Sequence, residues 1–263
     1  MKKCFTINHL RKQEEILSYE KLLKDNIYQA IEIFYPYNQS QEQLNQYTES
    51  VKYLINKYPN TEVVLHLPHA LNNGLCLDEH LNKGSLEIMF AAAKYANYFQ
   101  AKKLTLHLGH INQNKSRDYY INKIIPTLKK LCHYVKQFNQ IVMIENMPGS
   151  GELGYSPLEL LKIFEETKED NLKFIFDTGH AHVSEYDDTS YLIILKDYLY
   201  HIHYSDNDGL KDAHARIGTG TIDFNKHFEV LKSINYNELH CMEIIYHTVE
   251  DLILYEKDIT KYE

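Results

Sequence analysis

Short β-rich runs alternate with longer runs of helical period from one end of the chain to the other. The short runs, each read as a strand, fall at 3–9, 30–36, 62–69, 103–110, 140–146, 172–180, 200–206 and 239–245. The helical runs fall at 14–25, 41–58, 85–99, 117–138, 157–168, 190–199, 224–234 and 249–262. Within 117–138 the residues Ile124, Ile125, Leu128, Leu131 and Val135 recur at the spacing that lines one helix face. Ser156 followed by Pro157 predicts an N-cap with proline at the first helical position. Eight strands in strict alternation with eight helices predict parallel βαβ units.

Polar residues end almost every strand, as a (β/α)8 barrel with its site on the C-terminal face requires. The competing architecture is a doubly wound open sheet, which gathers a phosphate or nucleotide at a reversal of strand order. Neither GxGxxG nor GxxxxGK[ST] follows a strand here. No linker or low-complexity stretch divides the chain, so the expectation is one (β/α)8 TIM-barrel domain over residues 1–263, an ordinary length for that fold.

Composition narrows the function classes. Hydrophobic residues make up 44% and charged residues 24%, as in globular proteins generally. No apolar run reaches the ~20 residues needed to cross a bilayer, and polar Thr6, Asn8 and His9 interrupt the start of the chain. No membrane partner and a cytoplasmic location are expected. Cys4, Cys76, Cys132 and Cys241 form no CxxC pair and read as reduced, buried thiols. A net charge of −8 argues against a broad nucleic-acid surface while leaving room for a local basic groove. The count that stands out is 15 histidines.

Where those histidines fall is informative. His69 follows the third strand and His107 the fourth; the fifth ends Ile144-Glu145-Asn146 and the sixth Phe176-Asp177-Thr178-Gly179-His180. The seventh holds His201-Ile202-His203, the loop after it Asp212-Ala213-His214, and the eighth ends Met242-Glu243. A lone strand histidine is more often a hydrogen-bonded structural residue than a ligand, and a lone strand-end Glu often caps a loop. Together, five imidazoles and four carboxylates share one rim of the barrel. Without counter-cations that rim would hold about four negative charges in one cleft, which forces repulsion or protonation. Divalent cations resolve the conflict; a mixed imidazole–carboxylate set suits Zn first, with Mn, Co and Fe as alternatives. His133, His227, His240 and His247 read as surface or core, and His66 and His201 as support or packing below the strand tips. His110 and His182 are left open.

These residues resemble the xylose isomerase-like TIM-barrel superfamily, which includes endonuclease IV and the sugar-phosphate isomerases and epimerases. The stretch from His201 to Asp208, then Asp212-Ala213-His214 and Ile217 to Phe224, is similar to its HxHxxDNDG…DxHxxxGxGxIDF pattern. Ile144-Glu145-Asn146 and Asp177-Thr178-Gly179-His180-Ala181 match two further signatures. The endonuclease IV branch implies three zinc ions, on positions matched by His69, His107, Glu145, Asp177, His180, His203, Asp212, His214 and Glu243. The epimerase branch implies one ion, on Glu145, Asp177, His203 and Glu243. In many of those epimerases an Arg that grips the sugar stands where this chain has His214, which favours a multi-metal site. The DNA-reading motifs match less well. The probe aromatic of endonuclease IV is replaced by Asn72, and its ENTAGQG and DTCHxFAAGYD segments read Glu145 to Gly151 and Asp177 to Asp187 with changed loops.

Two chemistries follow. In the first, a metal-dependent isomerase or epimerase of a small sugar or sugar phosphate, the ion chelates a carbonyl and its neighbouring hydroxyl and stabilises an enediolate. Glu145 and Glu243 are then the catalytic base and acid, and His180 and His214 contact substrate oxygens. In the second, an endonuclease IV-like phosphodiesterase, paired ions activate a hydroxide against an abasic site in DNA, with Glu145 bridging and His69 and His107 on an outer ion. The isomerase is the preferred expectation, with one to three ions. A barrel that binds metal without chemistry is the third reading.

Overall fold

The computed structural model describes residues 1–37, 39–69, 73–74, 78–111 and 114–263. Its strands are β1 (Lys2–Ile7), β2 (Ala30–Phe34), β3 (Glu62–His66), β4 (Lys103–Leu106), β5 (Ile141–Glu145), β6 (Leu172–Asp177), β7 (Leu199–Tyr204) and β8 (Leu239–Met242). Each pairs in parallel with the next, and β1 pairs with β8 to close the barrel. The expected (β/α)8 barrel is therefore the observed one, and the open sheet is set aside because β1 and β8 leave no free edge.

Side chains on a strand alternate between its two faces. Counting by twos from the barrel interior puts Glu32 and Phe34, Val64 and His66, Met143 and Glu145, Ile175 and Asp177, His201 and His203, and Cys241 and Glu243 on the inner side. The intervening residues, such as Phe5, Ile31, Leu65, Leu104, Ile144 and Phe174, face the helices and belong to the large apolar cluster between strands and helices. A small separate cluster of Cys4, Ala30, Val64, Met143, Ile175, Leu239 and Cys241 plugs the barrel's interior below the polar rim.

Between strands run α1 (Gln13–Ser18), α2 (Glu20–Lys24), α3 (Gln41–Lys57), α4 (Glu79–Tyr98), α5 (Arg117–Lys136), α6 (Pro157–Thr167), α7 (Thr178–Val183), α8 (Asp188–Ile194), α9 (Phe224–Ser233) and α10 (Val249–Thr260). Several expected boundaries move. The first helix is two pieces with Tyr19 between them. Helix α4 begins at Glu79, not 85, because Asp78 caps it by accepting from His80 and Leu81. Its first turns, with Gly84 facing open space, carry no apolar stripe to reveal them. The third strand stops at His66 and the fourth at Leu106, so His69 and His107 stand on the loops just beyond. The sixth strand ends at Asp177, whose Oδ1 accepts from His180 N at 2.6 Å and turns the chain into α7. His180 is thus presented by a helix. Ser156 caps α6 in backbone geometry ahead of Pro157, without a side-chain hydrogen bond.

Cys4, Cys132 and Cys241 are free and buried as expected; Cys76 and Asn72 lie outside the described residues. Among the described residues no helix is long and apolar enough to cross a membrane.

Candidate metal centre

The strand tips converge on a cleft of about 910 Å³ at the C-terminal face. On its floor, one ligand atom each from Glu145, Asp177, His203 and Glu243 lie within 4.8 Å of one another. β5, β6 and β7 supply the first three, and Glu243 stands one residue past β8. His180, Asp212 and His214 form a second such group, and His66, His107 and Glu145 a third, with Glu145 shared.

Glu145 is fully buried and its carboxylate faces four rings, the farthest being His66, whose Nε2 is 3.9 Å from Oε2. Oε2 lies 3.0 Å from His107 Nε2, and Oε1 lies 3.3 Å from His203 Nδ1 and 3.4 Å from His180 Nδ1. His203 Nδ1 is also 2.8 Å from Glu243 Oε2. Asp212 Oδ2 bridges His180 Nε2 at 3.3 Å and His214 Nε2 at 3.0 Å. His214 is held by its Nδ1, 2.8 Å from the carbonyl of Glu243, on a backbone with φ of 44°. Asn146 clasps the start of α7: its side chain pairs with both Asp177 N and Asp177 O, and its carbonyl meets His180 Nδ1 at 2.8 Å.

Beneath the floor sits Glu32, a fully buried acid that strand reading passed over. Its Oε2 is 2.9 Å from both His201 Nε2 and His203 Nε2, and Thr105 Oγ1 donates to its Oε1 at 2.6 Å. A carboxylate accepts only, so both imidazoles carry their proton on Nε2. With Nε2 turned to Glu32, His203 turns Nδ1 toward the oxygens of Glu145 and Glu243. Burial works against charge on this ring, and Glu32, Glu243 and Glu145 raise it well above the ordinary imidazole range, so Nδ1 donates to them when protonated and offers them a lone pair, and a ligand position for a cation, when neutral.

Electrostatics carries the same message. Burial raises the carboxyl of Asp177 to about 7, and the neighbouring Glu145, Asp212 and Glu243 add to it against the pull of His180. Burial also works against charge on Glu145, yet His203 and His107 hold it well below the usual carboxylate range. His214 shifts the other way: Asp212 and Glu243 overcome its burial and lift it to about 10. His69 is lowered to about 3 by burial, then by the adjacent His66 and His107. Carboxylates crowded until one resists ionising, beside imidazoles held cationic, make a set that a divalent ion satisfies. Asp177 Oδ2, Asp212 Oδ1 and His69 Nδ1 are buried without a hydrogen-bond partner among the described residues, as open donor positions for such an ion require. The residues present fit a divalent metal.

Eight of the nine residues singled out from the sequence thus fall into these three groups. The ninth, His69, stands beside the third, its ring centroid 4.8 Å from that of His107. Two residues were misjudged. His66 is at the tip of β3, not below it, because Pro68 lacks the N–H to carry the ladder on. Glu32 was missed, although an acid within Ala30-Ile31-Glu32-Ile33-Phe34 was its signal. His201 supports the floor through Glu32, and His227 and His240 are buried in the core. His110 pairs with Glu152 on the exposed rim, and His182 bridges Asp188 and Thr221 away from the floor.

Comparison with known proteins sets this geometry among relatives. An uncharacterized protein of Methanocaldococcus jannaschii is 29% identical over 206 residues, covering 74% of this chain and 69% of its own length. A protein of Mycoplasmopsis pulmonis named probable endonuclease 4 is 28% identical, covering 67% of each chain. Among solved structures, a D-tagatose 3-epimerase-like protein superposes with a TM-score of 0.83 at 25% identity, over 100% of this chain and 97% of that one. The 3-keto-D-glucoside 4-epimerase of E. coli shares the fold with a TM-score of 0.77 at 17% identity, over 100% and 98%. Residues 21–261 match the family model directly: the chain belongs to the xylose isomerase-like TIM barrel family.

Proposed function

We propose that the protein is a divalent-metal-dependent isomerase or epimerase of a small sugar or sugar phosphate. The observation that carries this reading is a closed floor of Glu145, Asp177, His203 and Glu243 at the base of a cleft of about 910 Å³, a volume suited to a small molecule. The likeness to a D-tagatose 3-epimerase-like protein along nearly the whole of both chains supports it.

When bound on those four residues, a divalent ion polarises a carbonyl and its neighbouring hydroxyl and acidifies the carbon between them. The chain's own residues do the rest. Glu145 and Glu243 stand on strands at different positions around the barrel. One carboxylate takes the proton from the carbon, and the opposing carboxyl returns a proton to the other face or to the neighbouring carbon. His180 and His214, on the Asp212 side, orient substrate oxygens. The ring of Phe34 and the β1 and β8 loops wall the cleft and limit water.

The runner-up, a zinc phosphodiesterase acting at abasic sites, draws support from the two further donor groups around Glu145 and Asp212. Relatives named probable endonuclease 4 add to it.

Replacing Glu145 with Gln separates the two. Gln keeps the volume but removes the basicity. In an isomerase, rate falls roughly 10²–10⁴-fold and solvent-hydrogen exchange at the substrate carbon disappears. In a phosphodiesterase the variant loses metal together with cleavage of an abasic duplex. Wild-type protein that nicks abasic duplex and exchanges no ketose hydrogen would falsify the proposal.

A further inference from the structure

Outside the cleft, three side chains from separate elements stand in a row that the metal centre does not use. His182 lies on α7, Asp188 opens α8, and Thr221 lies on the loop just ahead of α9. His182 Nδ1 is 3.1 Å from Asp188 Oδ2, and His182 Nε2 is 2.8 Å from Thr221 Oγ1. Thr221 is open to solvent, whereas the His182 and Asp188 side chains are largely covered, at 21% and 19% exposure.

Hydrogen-bond accounting fixes where the protons are. Burial works against charge on Asp188, yet His227 and His182 beside it hold its carboxyl below the usual carboxylate range. An ionised carboxylate only accepts, so His182 carries its proton on Nδ1 and presents a lone pair on Nε2. The Thr221 hydroxyl donates to that lone pair; its other acceptor, the carbonyl of Asn207, stands farther off at 3.4 Å. A hydroxyl given to an imidazole that a carboxylate orients is the arrangement that activates serine and threonine as nucleophiles. Thr219, two residues away and equally exposed, shows the merely structural alternative. Its Oγ1 donates to the carbonyl of Arg216 at 2.6 Å, and a carbonyl is no base.

What surrounds Thr221 limits its chemistry. The N–H groups of Gly218, Gly220 and Ile222 are given to Asp206, that of Thr221 to the carbonyl of Asn207, and that of Thr219 to the carbonyl of Arg216. None of these is left to stabilise an oxyanion, a contribution worth roughly 10²–10³-fold in rate. Reaction is thus confined to acyl groups whose leaving group departs unaided as a stable anion.

We infer that Thr221, with His182 as its base and Asp188 orienting that base, is a second reactive site, one that takes an acyl group from an activated ester. Thr221 Oγ1 bonds to the acyl carbon as its proton passes to His182 Nε2. The bond from that carbon to the leaving oxygen then breaks, the leaving group departs with the electron pair, and the imidazolium releases its proton to water. The product is an ester on Thr221, which persists because nothing stabilises the oxyanion of its hydrolysis. This site is independent of the proposed metal-dependent reaction.

The test uses the full-length protein with p-nitrophenyl acetate as the acyl donor. Acetylation is followed by peptide mass mapping, and the measure is the rate at Thr221 relative to Thr219. The expected result is acetyl-Thr221 forming roughly 10²-fold faster than acetyl-Thr219, with Thr221→Ser retaining the label. His182→Gln should lower the Thr221 rate to that of Thr219, and Asp188→Asn should lower it too, both with unchanged far-ultraviolet circular dichroism. A metal centre can hydrolyse the same ester, so the assay is repeated with chelator, and the Thr221 rate is expected to hold. Equal labelling of Thr221 and Thr219 overturns the inference, as does a wild-type rate in both the His182 and Asp188 variants. Acetyl on His182 with Thr221 unmodified also overturns it, and so does loss of the Thr221 label on chelation in protein that stays folded.

Discussion

At the scale of single residues, the site is set by which nitrogen of each ring holds the proton. Glu32 makes that choice for His203, so Glu32→Gln should act at a distance. Both imidazoles meet the same oxygen of Glu32, so the amide oxygen can take that place, but it carries no charge to hold them and its NH2 then faces the Thr105 hydroxyl. Zinc affinity at the Glu145–Asp177–His203–Glu243 floor is expected to fall roughly 10–100-fold. A titration showing affinity within twofold of the wild type would show that His203 needs no such support. His240, outside the site, gives a pH signature. Buried beside the rings of Tyr204 and Phe228, with Nδ1 3.0 Å from Tyr204 Oη, it is lowered by burial to about 3. The unfolded chain binds its proton near pH 6.5 and the folded chain does not, so stability falls as pH drops through about 6.5. Between pH 7.5 and 5.5 this one group removes about 1.4 kcal/mol. His240→Phe should lower stability overall, since Tyr204 loses a partner, yet flatten that pH slope by this amount in urea unfolding.

At the scale of elements, loops after strands carry the chemistry and need internal anchors. Asp206, just past β7, is such an anchor. Its Oδ2 accepts from Gly218 and Gly220 at 2.8 and 2.9 Å, and its Oδ1 from Asn207 and Ile222 at 2.9 and 3.3 Å. Only glycine fits at 220, where a Cβ would meet Asn207 O at 2.1 Å. The same loop returns through the Asp206–Ala215 bridge and carries Asp212 and His214 between. Asp206→Ala leaves four N–H groups without this acceptor and should cost about 3 kcal/mol or more. Zinc analysis should also show loss of the ion held by His180, Asp212 and His214. Retention of that ion would mean the loop keeps its shape without Asp206.

At the scale of the molecule, closure of the barrel gathers carboxylates and imidazoles on one rim. Asp177, Glu145, Glu243 and Asp212 come from separate strands and a loop and meet only because β8 returns to β1. Chelation should therefore destabilise the whole barrel. Zinc held at a hundred times its Kd adds about 2.7 kcal/mol, a Tm difference of roughly 5–10 °C for a domain of this size. Differential scanning calorimetry with and without chelator checks this, and coincident transitions would count against any metal site.

The alternation of strand and helix, and the polar residue closing almost each strand, were legible in the sequence because both are local. A period of two or of 3.6 needs no partner to be read. The rim residues Glu145, Asp177, His203 and Glu243 were legible for the same reason: each is the last inward position of its own strand. What only the tertiary structure decided depends on groups far apart in the chain. Glu32 and His203, 171 residues apart, share one hydrogen bond that sets a tautomer. His66 proved to be at a strand tip because β3 stops short of Pro68 and meets β4 there. Periodicity places a side chain on a face; the atom it turns to its neighbour, and so its chemistry, is settled when the barrel closes.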